Sequence, residues 1–79
     1  MSNLEKYNQA FTKVFEVDEH LLNEDFNADS LDKWDSITQL SLVTELEDTF
    51  DIMLDSEDLL NLRSYEEGKV ILGKYEVSI

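Results

Sequence analysis

The chain contains no cysteine, which excludes disulfide staples and thiolate metal sites and fits a reducing compartment. Proline is absent and glycine occurs only at Gly68 and Gly73, a scarcity that disfavours a turn-rich all-β fold. No apolar run approaches the length of a membrane span, and the N-terminus lacks the basic-then-apolar pattern of a signal peptide. Cytoplasmic residence is the resulting expectation. Basic residues are few, 6 against 19 acidic ones, for a net charge of −13. Such a surface repels phosphate backbones and anionic lipid, which argues against nucleic-acid and membrane partners. It would steer basic protein surfaces toward the chain instead.

What remains is enough for one small domain. Seventy-nine residues, 42% of them hydrophobic, can form a compact core. A domain of this size buries only ~60% of the surface its unfolded chain exposes, so an internal catalytic cleft is not expected. From Trp34 to Leu62 there are eight acidic residues and no Lys or Arg. That run reads either as a solvated face or as a docking surface.

The apolar periodicity is helical. Leu4, Tyr7, Phe11, Val14 and Phe15 form one stripe, which predicts a first helix over residues 3–15 with Ser2 or Asn3 as its cap. A weakly periodic stretch follows from Glu16 to Lys33. A connection this long should be pinned, and Leu21, Leu22, Phe26, Leu31 and Trp34 are the candidate anchors. A second helix is predicted over 36–50 and a short one over 56–60, the latter capped by Asp55 or Ser56. The last is predicted over 64–75, opened by a capping box in which Ser64 and Glu67 satisfy each other's backbone donors. Gly68 inside it reads as a weak point, costing ~1 kcal/mol relative to Ala. The expected fold is therefore all-α: three main helices plus a short one, with a long loop between the first two.

At about 100° per residue the second helix has two faces. Leu42, Val43, Leu46 and Phe50 form a core stripe. Ile37, Leu40, Ser41, Thr44 and Asp48 lie opposite, with Glu45 at the edge. Ile37 and Leu40 are large apolar residues on a face expected to be polar, within one turn of Ser36. They read either as ordinary scattered exposure or as a small apolar patch ringed by acids, suited to transient docking of basic partners. Asp35 and Ser36 open this helix. One reading makes them a capping pair and nothing more. The other uses the amides and positive dipole end of the helix start to favour a phosphate carried by Ser36.

The segment from Asp35 through Ile52, with its Asp35-Ser36-Ile37, Leu42-Val43, Leu46-Glu47 and Phe50-Asp51-Ile52 steps, resembles the signature of the acyl carrier protein family, ungapped over 18 residues. The resemblance implies a non-enzymatic carrier. Ser36 would bear a 4′-phosphopantetheine arm, transferred from coenzyme A by a phosphopantetheinyl transferase. Asp35 would help position the magnesium ion and the hydroxyl during attachment. The arm's thiol would hold an acyl or aminoacyl group as a thioester, loaded by a ligase and passed to downstream transferases. Ile37, Leu40, Thr44, Glu45, Glu47 and Asp48 would lie along the partner-recognition helix. Leu46, Phe50 and Leu62 would border a shelter for a short acyl chain, and the carrier would work as a monomer. Ile37 replaces the Leu of the usual Asp-Ser-Leu triplet. Ser41 and Thr44 replace the acid and methionine usual in fatty-acid carriers. With the Trp34-Asp35-Ser36 opening and Leu22-Asn23-Glu24-Asp25-Phe26, they point to stand-alone carriers of specialised pathways.

Two other readings stay in view: a non-catalytic acidic interaction module with a degenerate carrier fold, and a calcium-binding helical protein. Asp29-Ser30-Leu31 is a literal Asp-Ser-Leu, but counting on from Ser30 places Ser36 and Thr44 where core apolar residues belong, so Ser30 reads as turn chemistry. Asp25, Asn27 and Asp29 have the opening spacing of a calcium loop, yet its required Gly and Glu positions hold Ser30 and Ser36. His20, the only histidine, has no second ligand or nucleophile in view and reads as a surface residue.

Overall fold

A computed structural model describes residues 2–79. The protein is an all-helical bundle: α1 spans Asn3–Phe15, α2 Ser36–Phe50, α3 Ser56–Asn61 and α4 Tyr65–Gly73. A single tight helical turn, Glu19–Leu21, interrupts the long first connection. Among the described residues no helix is long and apolar enough to cross a membrane.

Each main helix starts where a short polar side chain can accept the first free amides. Ser2 caps α1 through the Glu5 N–H at 3.1 Å, and Asp55 caps α3 through the Asp58 N–H at 2.9 Å. Ser64 accepts the Glu67 N–H at 2.9 Å to open α4. Only this half of the expected capping box forms among the described residues. With glycine scarce, α1 and α2 end on Glu16 and Asp51 in the left-handed conformation, at φ 55° and 53°. That conformation is uncommon for a residue with a side chain.

The last helix ends two residues earlier than its periodicity predicts. After Gly73 the chain tightens, with the Lys74 and Tyr75 amides reaching back to the carbonyls of Ile71 and Leu72. Glu76 then turns left-handed at φ 65°, and the Val77 amide returns to Leu72. This turn frees Tyr75 to reach α3.

Phe11 is the hub of the core. Its ring has no solvent exposure and lies 4.9–6.0 Å, centroid to centroid, from the rings of Tyr7, Phe15, Phe26, Trp34 and Tyr65. Such edge and offset contacts each add about 0.5–1.5 kcal/mol beyond area burial. Phe26 and Trp34 belong to the long connection, so this cluster holds the loop against α1. Backbone bonds secure it further: Ala28 N–H donates to Arg63 O at 2.8 Å, and Tyr65 N–H to Phe26 O at 2.9 Å. Of the expected anchors, Phe26 and Trp34 are buried and Leu22 and Leu31 pack partly against the core. Leu21 does not anchor; it is 46% exposed, pointed outward by the tight turn it closes. Leu4, expected on the core stripe of α1, is also largely exposed, and Asn8 is buried instead.

Asn8 belongs to a polar chain through the core. Tyr7 Oη donates to Tyr65 O at 2.5 Å, the Tyr65 hydroxyl donates to Asn8 Oδ1, and Asn8 Nδ2 donates to Glu19 Oε1 at 3.1 Å. Burial pushes the Tyr7 phenol well above its ordinary value, so it stays a donor. Among the described residues every buried side-chain nitrogen or oxygen has a partner, as native interiors require.

Candidate functional site

The start of α2 is fixed from behind by Trp34. This residue is 6% exposed, its ring lies against Phe11 and Phe15, and its indole N–H donates to Gln39 Oε1. Gln39 in turn donates from Nε2 to Leu59 O at 3.1 Å, tying α2 to α3. The next residue, Asp35, has extended backbone and accepts the Thr38 N–H at 2.8 Å. The Thr38 amide first, and then the Thr38 hydroxyl, hold the Asp35 carboxyl below its ordinary value. The carboxylate is thus held in its ionised form and oriented by this cap, on an exposed residue.

Ser36 is the first residue of α2 and is exposed. Among the described residues nothing within the chain hydrogen-bonds its hydroxyl. The helix start beneath it is anchored by the Asp35 cap and the buried Trp34. Its groove, about 270 Å³, is lined by Trp34, Asp35, Ser36, Gln39 and Arg63. A larger depression of about 320 Å³ lies on the other side of Asp35, against Val14, Phe15 and Lys33, but Ser36 does not line it.

Along α2 the expected faces separate. Leu42, Val43 and Leu46 are buried and Phe50 partly so. Ile37 is 77% exposed and Leu40 65%, within one turn of Ser36, and Ser41, Thr44 and Asp48 are exposed on the same helix. Glu45 is half-buried and paired with Lys13 of α1 at 3.2 Å. Glu47 turns back to accept the Leu54 N–H at 2.9 Å, closing the loop after α2. Of the six residues expected on the recognition face, Ile37, Leu40, Thr44 and Asp48 are therefore freely presented, while Glu45 and Glu47 serve bonds within the fold. Leu46 and Leu62 are buried in the core, and neither they nor Phe50 lines the groove at Ser36.

A scan against protein-family models finds no match, and searches of curated proteins and of solved structures find none either.

Ser30 lies in a different setting. Its N–H donates to Asn27 Oδ1 at 2.9 Å within a turn of the long connection. The same Asn27 side chain donates to Asp25 O, and Asp29 faces Arg63 at 3.6 Å. Of the residues with calcium-loop spacing, Asn27 holds the turn with its side chain, while Asp25 contributes only its backbone carbonyl and the Asp29 carboxylate is exposed. His20 is exposed, its Nδ1 3.9 Å from an Asp18 carboxylate oxygen. Gln39 and Arg63 complete the groove around Ser36 and carry no local signal in the sequence; the bridge between Asn27 and Ser64 sets Arg63 there.

Proposed function

We propose that the chain is a carrier protein whose Ser36 holds a 4′-phosphopantetheine arm bearing an acyl or aminoacyl thioester. The observation that carries this reading is the Ser36 hydroxyl itself: exposed, unengaged within the chain, and on the first turn of a helix whose start is fixed by the Asp35 cap and the buried Trp34. The residues present fit the group. A phosphodiester on Ser36 would lie at the amide end of α2, where the helix dipole favours an anion by about 0.3–1 kcal/mol.

In the attachment step, Ser36 Oγ forms a bond to the pantetheine-side phosphorus of coenzyme A. The pyrophosphate bond breaks, the nucleotide half leaves, and the serine proton passes to solvent or to the transferase. Asp35, oriented by Thr38, would help hold the transferase's magnesium ion near the hydroxyl. Ile37 and Leu40 supply apolar contact for the enzyme, and the acidic surface attracts its basic residues. The uncharged Ser41 and Thr44 on that face support a loading ligase and acceptor enzymes of a specialised pathway.

The test is an intact mass after incubation with coenzyme A, magnesium and a broad-specificity phosphopantetheinyl transferase. A gain of one phosphopantetheinyl group that disappears in Ser36→Ala and persists in Ser30→Ala is expected. No gain with any transferase overturns the reading and leaves an acidic interaction module.

A further inference from the structure

We infer that Arg63 pairs with the phosphodiester of the arm and holds its first segment in the groove between α2 and the α3–α4 connection. This rests on the carrier reading of Ser36. Arg63 is the only arginine of the chain and, among the described residues, the only cation lining the groove that Ser36 lines. Its position is set by backbone bonds on both sides of the peptide, Arg63 N–H to Asn61 O at 2.9 Å and Ala28 N–H to Arg63 O at 2.8 Å.

The guanidinium is available. It is 56% exposed, and its ion-pair partner Asp29 is 94% exposed with a separation of 3.6 Å, beyond hydrogen-bonding distance. An exposed pair of that kind contributes little, so exchange for a phosphate costs little. Lys33, near the other side of Asp35, differs: its ammonium donates to Phe15 O at 3.3 Å and borders the depression that Ser36 does not line.

Charge gives the pairing its purpose. The groove already contains the Asp35 carboxylate, in a chain of net charge −13, so a phosphodiester there meets repulsion. A planar guanidinium fork matches two phosphate oxygens and offsets that repulsion, and a lysine in its place would supply the charge without the fork. The arm would leave Ser36 along Trp34 and Gln39 instead of swinging freely.

The experiment compares apo- and holo-protein by NMR, following the Arg63 Nε–Hε signal and the phosphorus signal of the arm. Attachment should move the Arg63 signal. In holo Arg63→Gln the phosphorus signal should shift toward that of the same phosphodiester in urea-unfolded holo-protein, with Arg63→Lys intermediate, and high salt should abolish the difference. Folding of each variant is checked by Trp34 fluorescence, and Arg63→Lys carries the comparison where Arg63→Gln does not fold. An arm that attaches without moving the Arg63 signal, and a phosphorus signal indifferent to position 63, overturn this inference and leave the carrier reading intact. A wild-type chain that accepts no arm overturns both.

Discussion

The hydroxyl of Tyr7 fills the space that a side chain at Gly68 would need: a Cβ on Gly68 would lie 2.0 Å from Tyr7 Oη. Tyr7 has no solvent exposure and its hydroxyl is bonded to Tyr65 O, so it cannot step aside cheaply. Gly68 is thus the device that lets α1 and α4 approach each other.

Gly68→Ala should therefore destabilise the protein, against the usual gain of about 1 kcal/mol for replacing a helical Gly by Ala. Overpacking costs about 1–3 kcal/mol, and a displaced buried hydroxyl costs a similar amount. A net loss of about 1–3 kcal/mol in urea unfolding is expected. In a Tyr7→Phe background the same substitution should cost less, since the clashing oxygen is gone.

Position 68 also marks the boundary of what a sequence conveys. Helix starts are legible because Ser2, Asp35, Asp55 and Ser64 stand immediately before periodic apolar runs, and each cap is a local event. The exposure of Ile37 and Leu40 follows from the same local wheel. Long-range contacts are not legible. Gly68 looks like a flaw until Tyr7 is seen against it, and Asn8 looks like a surface residue until the Tyr65 hydroxyl reaches it. Arg63 enters the Ser36 groove through a bridge between the loop and the start of α4, a pairing no periodicity announces.

Asp58 should dominate the acid limb of stability. It is 1% exposed and accepts from Lys74 Nζ at 2.6 Å and Tyr75 Oη at 2.5 Å, which joins α3 to the C-terminal segment. The Lys74 hydrogen bond first, then that of Tyr75, hold its carboxyl below the ordinary value. A lowered folded pKa contributes stability that is complete above about pH 4 and is lost as pH falls through the folded value. At the alkaline end Lys74 and Tyr75 are both raised, chiefly by the same Asp58, so their contribution is complete below about pH 10 and lost above it. Asp58→Asn should lower the urea midpoint near neutral pH and flatten its dependence on pH at the acid end. An unchanged acid slope would contradict this assignment.

Glu47 and Asp48 are neighbours with different tasks. Glu47→Ala removes the acceptor of the Leu54 amide and should cost about 1 kcal/mol of stability, while Glu47→Gln keeps an acceptor and should cost less. Asp48 is exposed, so Asp48→Lys should leave unfolding nearly unchanged yet slow modification by a transferase, most at low salt. Paired urea titrations and transferase kinetics separate the two roles.

The central claim concerns Ser36, and peptide mapping tests it most directly. Trypsin cuts after Lys13, Lys33 and Arg63, which places Ser30 in residues 14–33 and Ser36 in residues 34–63. After incubation with coenzyme A, magnesium and a phosphopantetheinyl transferase, the mass of one phosphopantetheinyl group should appear on 34–63, and fragmentation should assign it to Ser36. A gain on 14–33, a gain assigned to Ser41 or Ser56, or no gain at all would contradict the account.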